Sequence, residues 1–335
     1  MPLDTPLVSV VVLNWNGADL LDDCLKSVLA TSYPNFETIV VDNGSTDQSV
    51  QTIGKYGKVR LVETGRNLGY TGGNAAGIAV SRGKYIVTLN NDMEVDSRWL
   101  TEVVSYLERD ESIGIAGCRQ MNFYKRDVID SLYLVPTEFL LLGRMGHAKA
   151  FDVGDPLHAA PGLVIGANGG SAVYRRKCLE ELGGFENSFF AYHEECDLAM
   201  RAFSVGWKCL YVPTAVVYHK GSVSFGKVKK EFYYYHERNR IWFLFRNFPV
   251  SLVAKNLPVI LGRELRTAIN IIRHGFGATY LRARIDGVRG CAPFASVRKR
   301  QVQRMAGLRS AYGSLLRLQK LPYEAPLVPG RTRQV

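Results

Sequence analysis

The chain reads as an α/β protein with a mostly parallel central sheet flanked by helices, followed by a basic helical extension. Three observations lead there. Short apolar runs of the buried-strand kind alternate with segments of helical period over the first half. Several of those runs stop abruptly on Asn and Asp. The charge is also split: from Gly221 onward there are 22 Lys and Arg against 5 Asp and Glu, a balance of +17, whereas Met1–Lys220 carries 20 against 26, or −6.

The elements follow in order. "VSVVVLN" (Val8–Asn14) is a first strand, and Leu20, Leu21, Cys24, Leu25, Val28 and Leu29 mark a helix that ends before Pro34. "FETIVVD" is a second strand ending at Asp42, and "DQSVQTIGKY" a helix capped near Ser45 or Thr46. "VRLVET" is a third strand, "TGGNAAGIAVSRG" a small-residue helix ending near Gly83, "KYIVTLNN" a fourth strand and "RWLTEVVSYLER" its helix. "IGIAGCR" fits a further strand. From Met121 to Gly162 no period is visible, and a long loop region is expected. "GANGGSAVYRRKCLEELGGF" gives a strand and a helix stopped by Gly183-Gly184, "HEECDLAMRAFSVG" a helix, and "KCLYVPTAVVYH" two short strands around Pro213. The division expected is a catalytic domain over 1–226 and a helical, basic and aromatic extension over 227–335, its helices broken near Pro249 and Pro258 and its end frayed beyond Arg298.

Composition narrows the classes. Hydrophobic content of 47% is that of a globular protein, and no run reaches the ~18 apolar residues of a membrane span. The six cysteines form no C-x-x-C pair and no secretory leader is visible, so free thiols in a reducing, cytoplasmic setting are expected. The tail's charge suits an anionic membrane surface. Trp242, Phe243 and Phe245 beside Arg240 and Arg246 fit headgroup depth, with a helical extension packed on the catalytic domain or on a second subunit as the plainer reading. A nucleic-acid role lacks any known motif.

In an open parallel sheet, ligands bind beyond the carboxyl ends of the strands. The polar clusters fall there: Asn14 and Asn16 after strand one, Asp42 and Ser45 after strand two, and Asn90, Asn91 and Asp92 after strand four. Asp42 can accept from a base N–H and the Ser45 turn can frame a ribose, or both can form an Asx turn and cap. "GRNLGYTGGNAAG" offers Arg66, Asn67, Gly69 and Asn74 to phosphate or sugar oxygens, although it is neither a P-loop nor G-x-G-x-x-G. Asp92 can hold Mg²⁺ or Mn²⁺ beside a diphosphate, or cap the next helix. His219, after "AVVY", can ligate a metal or simply be hydrogen-bonded at a strand end. Glu194 and Glu195 open a helix, where acids are stable, and either can instead serve as a general base; Asp197 and Arg201 are spaced to pair.

Taken in sequence, "VSVVVLNWNG", "VDNGSTDQS", "GRNLGYTGGNAAG", "LNNDMEVD", "GGSAVYRRKCLEELGGFENSFFAYHEECDLAMR" and "VYHKGSVSFG" resemble the family 2 glycosyltransferases, most of all the rhamnosyltransferase branch. The resemblance covers roughly Val8 to Gly226. It implies a GT-A fold, a nucleotide-sugar donor (a dTDP- or UDP-sugar), a divalent metal (Mg²⁺ or Mn²⁺), and inversion at the anomeric carbon. The family's D-x-D-like motif corresponds here to Asn90-Asn91-Asp92, which leaves Asp92 and His219 as metal ligands. Its Glu-Asp pair corresponds to Glu194-Glu195, with Glu195 at the base position and Glu194 as the substitute.

The resemblance further implies a glycan acceptor, lipid-linked or polysaccharide, in cell-surface glycan synthesis on the inner face of the membrane. Asn90 and Glu195 depart from the family's Asp residues. They keep open an inactive carbohydrate-binding or membrane scaffold. The rival enzyme is a nucleotide-sugar nucleotidyltransferase, which shares the nucleotide, the metal and the α/β sheet, although "NWNGADLL" lacks its Gly-rich, Arg/Lys-containing signature after strand one.

Overall fold

A computed structural model describes residues 5–221, 229–306 and 321–322. The expected boundary at 226/227, residues 222–228 and all of the end beyond Ala306 except Leu321–Pro322 lie outside the described residues.

The first half alternates as expected: β1 (Val8–Asn14), α1 (Ala18–Leu29), β2 (Phe36–Asp42), α2 (Ser49–Ile53), β3 (Val59–Glu63), α3 (Gly69–Val80), β4 (Tyr85–Asn90), β5 (Met93–Val95), α4 (Trp99–Leu107) and β6 (Ile113–Asn122). Then come β7 (Ile129–Ser131), β8 (Leu134–Pro136), β9 (Leu142–Arg144), α5 (Pro156–Ala159), β10 (Gly162–Val164), β11 (Ser171–Arg175), α6 (Arg176–Leu182), α7 (Glu194–Ser204) and β12 (Lys208–His219). The extension holds α8 (Lys229–Asn247), α9 (Val250–Lys255), α10 (Leu257–Arg273), α11 (Gly277–Arg289) and α12 (Ala295–Ala306), and Leu321–Pro322 adds a short edge strand, β13, against β10.

The sheet runs β10-β12-β6-β11-β4-β1-β2-β3. β1 to β4 are mutually parallel, β6 and β12 run the same way, and β11 and β10 are reversed. The carboxyl ends of β1, β2, β4 and β12 therefore open on one edge, and the amino end of β11 joins them there.

Side chains alternate across the sheet with period two. Val10, Val12 and Val40 pack under α1 and α4 with Leu25, Trp99 and Leu107. Val11, Ile39 and Val41 face the opposite layer with Cys178, Leu179 and Leu198. Because both faces are covered, the strands are apolar almost throughout. A third cluster joins α7 and α8 around Phe189, Met200, Trp242 and Phe243.

Four expectations are corrected. Ser45 and Thr46 do not cap α2. Asp47 Oδ1 accepts from Ser49 N at 3.0 Å instead, which leaves the Ser45 hydroxyl to accept from Asn16 N at 2.9 Å. The stretch 121–162 is not one irregular loop: β6 runs on to Asn122, β7 pairs with it, and β8 and β9 form a hairpin, all too short to show a period. β12 is one strand with a bulge at Pro213, not two. Trp242 and Phe243 do not face a membrane: they are buried in the third cluster, and Arg240 and Arg246 are 1% and 3% exposed. Their charges are met inside the protein by Glu237, Glu264, Asp197 and Glu186.

The small residues of α3 let that helix lie close on the sheet. A β carbon at Gly77 would stand 2.4 Å from Val11 Cγ1 and 2.8 Å from Val41 Cγ2, both in a filled core. Gly77→Val is expected to destabilise the protein by about 3 kcal/mol through overpacking, seen as a lower urea midpoint with an unchanged slope.

Candidate functional site

At the edge formed by β1, β2 and β4, buried amides and a carboxylate hold one another. Asn14 donates to Asp42 Oδ1 at 3.3 Å and to Ser45 Oγ at 3.3 Å, and accepts from Asn91 Nδ2 at 2.7 Å. Asp42 Oδ2 accepts from Ser45 N at 3.0 Å. Asn16 adopts a left-handed backbone (φ 49°) and accepts from Thr46 N at 2.8 Å. Gly17 leaves room for this set: a β carbon there would strike Asn91. Asn14, Asn16, Asp42, Ser45 and Asn91 are thus brought together as expected. Asn90 is partly exposed at the end of β4 beside them.

The Gly-rich segment divides. Arg66 is exposed, and its backbone crosses Gly44 so closely that a side chain there would collide. Asn67 Oδ1 accepts from Gly69 N at 2.8 Å and from Asn43 Nδ2 at 3.1 Å, so its amide starts α3. Gly69 has φ 73° and lies against Phe190 O, a close approach that needs glycine. Asn74 is buried in α3; its Nδ2 donates to Tyr70 O, and its Oδ1 has no partner. Asn43 was not singled out in the sequence, because its neighbour Asp42 carries the more obvious chemistry. Its Oδ1 accepts from Leu68 N at 3.0 Å and Nδ2 donates to Gly69 O at 3.0 Å, tying strand to loop.

Asp92 and His219 meet across β5 and β12. His219 Nε2 is 3.1 Å from Asp92 Oδ2, and its Nδ1 is 2.9 Å from Asp130 Oδ2. Burial opposes a charge on His219, but the hydrogen bonds its ring donates to Asp130 and Asp92 outweigh it and push the pKa up to about 10. Asp130, on β7, had no sequence signal because it sits in the stretch without periodicity. It is the orienting carboxylate behind the imidazole.

Asp92 Oδ1 is buried with no partner, an arrangement that invites a cation. Among the described residues no group of three His, Cys, Asp or Glu side chains is arranged to hold a metal. Asp92 and His219 could hold a divalent ion there once the proton that His219 Nε2 shares with Asp92 is displaced, with oxygens of a bound diphosphate or water completing the set.

Glu194 and Glu195 open α7. Burial, and then the charge of Glu195, hold Glu194 well above the usual carboxyl range; burial also raises Glu195, partly offset by backbone N–H groups. Each has an Oε2 without a partner. Glu194 is 5% exposed, whereas Glu195 is half-buried and stands beside the Gly169-Gly170 turn. A β carbon at Gly169 would lie 3.4 Å from Glu195 Cβ, and one at Gly170 3.6 Å from Asn90 Nδ2. That turn, at the reversed end of β11, links the Glu pair to the edge of β4. Tyr70 OH fixes it by donating to Gly169 O at 2.6 Å.

The chain just before α7 is strained: Phe190, Tyr192 and His193 all have φ near +70°. α8 holds it. Asn239, fully buried, donates to the carbonyls of Phe189 (2.8 Å), Ala191 (2.7 Å) and Tyr192 (2.9 Å), and Arg238 Nη2 donates to Ser188 and Phe189 at 3.0 Å. Sequence reading assigned no such role to α8, because nothing local marks an Asn as a partner for a segment some 50 residues earlier. Asn239→Ala is expected to cost about 2–4 kcal/mol, since buried carbonyls lose their donor. Amide exchange should speed up first at Ala191–Glu195 while the strands β1 and β4 stay protected. Equal acceleration throughout would mean that Asn239 does not hold this segment in particular.

Two family models match the chain: Glycosyl transferase family 2 over residues 9–183 and Glycosyl transferase family group 2 over 146–277. An L-rhamnosyltransferase of Mycobacterium tuberculosis that acts on N-acetylglucosaminyl-diphospho-decaprenol is 28% identical over 250 residues, covering 67% of this chain and 79% of its own. An uncharacterized protein of Sinorhizobium fredii is 29% identical over 235 residues, 66% of this chain and 25% of its own. The chain spans only 25%, 36% and 18% of three other curated relatives, counting that one. Among solved structures, a mannosyltransferase of Pyrobaculum calidifontis in complex with GDP-Man and Mn²⁺ has a TM-score of 0.54 at 18% identity, covering 95% of this chain and 85% of its own. The fold is GT-A, and the chain belongs to glycosyltransferase family 2.

Proposed function

We propose that the chain is an inverting glycosyltransferase. It takes a sugar from a nucleotide-sugar donor and places it on a hydroxyl of a glycan, lipid-linked or polysaccharide, in cell-surface glycan synthesis on the cytoplasmic side of the membrane. The observation that carries this reading is one edge of the sheet. There Asp92, with a bare buried oxygen, touches His219, and Glu195 stands across the Gly169-Gly170 turn. A dTDP- or UDP-activated rhamnose is the first donor to test, on the strength of the rhamnosyltransferase relative. The working division is a catalytic domain over 1–226 and an extension over 227–335.

Each residue then has a task. Asp42, Asn14, Asn16 and Ser45 receive the base and ribose, and Arg66, Asn67, Gly69 and Asn74 line the approach of phosphates and sugar. Asn90 and Asn91 meet the donor at the end of β4. Asp92 and His219 would hold Mg²⁺ or Mn²⁺, consistent with the Mn²⁺ in the mannosyltransferase structure. When bound, that ion neutralises charge on the leaving diphosphate. Asp130 keeps the His219 ring oriented.

Glu195 takes the proton of the acceptor hydroxyl as its oxygen bonds to the anomeric carbon from the face opposite the diphosphate. The bond from that carbon to the diphosphate oxygen breaks, the diphosphate leaves with the electron pair, and the centre inverts. Glu194, more deeply buried, is the substitute for the base.

Asp92→Asn and His219→Asn are expected to weaken the Mn²⁺-dependent part of nucleoside diphosphate binding while sparing the metal-independent part. Calorimetry with and without Mn²⁺ reads this, and an unchanged metal increment in both variants would falsify the ligand assignment.

Glu195→Gln is expected to leave donor binding intact and slow transfer by about two to four orders of magnitude. Glu194→Gln should cost much less. The base works deprotonated and its pKa is raised, so activity should climb with pH through a midpoint above the usual Glu value of ~4.3 and lose that limb in Glu195→Gln. Single-turnover rates across pH decide it: a dead Glu194→Gln beside an active Glu195→Gln would move the base by one residue.

A further inference from the structure

Trp242 and Phe243 of α8 are buried, yet the extension shows an apolar face elsewhere. Ten of the thirteen large hydrophobic side chains exposed among the described residues lie between Val250 and Val288. Six are on α10: Val259 stands apart, and Leu257, Leu261, Leu265, Ile269 and Ile272, spaced by four, four, four and three, make one stripe along a helix about 25 Å long. One flank of that stripe turns inward, where Ile260 and Ile271 are buried. On α11, Leu281, Ile285 and Val288 repeat the pattern. An amphipathic helix normally buries its apolar stripe, and these two turn theirs to solvent.

We infer that the outer faces of α10 and α11 form a docking surface for an anionic lipid bilayer, the helices lying in the interface with their apolar stripes inserted. Charge selects this occupant. Residues 250–306 hold eleven Lys and Arg against two Asp and Glu. Both acids are engaged within the protein: Glu264 by Arg240 and Arg284, Asp286 by Tyr234 and Arg282. The same face of a second copy, meeting it about a two-fold axis, would offer only more arginine, whereas lipid phosphates complement it and admit the apolar stripe. Arg266 and Arg273 lie on one flank of the α10 stripe, where their stems reach the headgroups. No described helix is long and apolar enough to cross a membrane, which agrees with helices that lie on it.

The face is also tied to the candidate site. Arg240 of α8 pairs with Glu264 of α10, and Arg284 of α11 reaches Glu264 at 3.0 Å and Glu237 at 3.7 Å. Next to Arg240 stands Asn239, which holds the strained chain before Glu194 and Glu195. The surface would present the site to an acceptor carried in the bilayer, and in that respect it rests on the lipid-linked acceptor proposed above.

The test is co-sedimentation of the full chain with vesicles of phosphatidylglycerol and phosphatidylcholine, against phosphatidylcholine alone. Binding to the anionic vesicles should fall about tenfold or more in L261S/L265S/I272S. It should also weaken in R266E/R273E and with added salt, and stay unchanged in V153S, an exposed apolar position elsewhere. Because the three apolar substitutions are at exposed sites, unaltered thermal unfolding should accompany the loss. Equal sedimentation of the triple variant and the parent overturns the proposal. So does a parent that ignores vesicles but forms a dimer that the triple variant loses, which would assign the face to a second copy. Nucleoside diphosphate release with a water-soluble acceptor separates the two readings. Vesicle binding without transfer keeps the surface and rejects the catalysis, and transfer without vesicle binding does the reverse.

Discussion

Asp197 is the fixed point of the molecule. Its carboxylate is fully buried and receives Arg201 Nε at 2.8 Å, Arg246 Nε at 2.8 Å and Asn247 Nδ2 at 3.0 Å. Burial would raise its pKa, but the two arginines hold it below the ordinary carboxylate range. An ion so buried is tolerated only while every partner is in place, and removal of one costs several kcal/mol. Those partners come from α7 itself and from α8, so the helix that presents Glu194 and Glu195 cannot be set without the first helix of the extension. Arg201 extends the network by donating to the carbonyls of Leu182 and Gly184, where α6 ends. The ion cluster thus fixes the angle at which α7 meets the sheet edge.

The polar edge obeys a different rule. Asn14, Asp42 and Asn91 are buried but satisfy one another, which explains how an apolar strand can stop on amides without loss. The exceptions are informative. Bare oxygens on Asp92, Asn74, Glu194 and Glu195 lie around this edge and the start of α7. Other buried atoms without partners lie elsewhere, among them Thr38 Oγ1, Gln120 Oε1 and Arg263 Nη1, so it is the carboxylates Asp92, Glu194 and Glu195 that set this edge apart.

Much of this was legible in the sequence, for identifiable reasons. Strands buried on both faces announce themselves as apolar runs, and their polar ends mark the carboxyl edge, so β1, β2, β4 and the residues Asn14, Asp42 and Asp92 could be placed from local pattern. Asp130 could not, because a three-residue strand has no period. Asn239 could not, because its partners are distant in sequence. Trp242 and Phe243 were read as surface groups because aromatics beside arginines look alike at a membrane and in a core with buried ion pairs. The stripe of α10 shows the converse limit: periodicity reveals that a helix has an apolar side, but not which way that side faces.

The bulge in β12 has a consequence of its own. Val212 pairs with Cys118 and Val216 with Arg119, so Pro213, Thr214 and Ala215 have no counterparts on β6. Side chains on a strand alternate, and an odd change of length elsewhere in β12 would turn His219 away from Asp92. At the bulge the extra residues are already looped out, one of them a proline with no N–H to lose. This is where homologous chains can gain or lose residues and still deliver a histidine to the same edge, and alignments of such chains should place their gaps here.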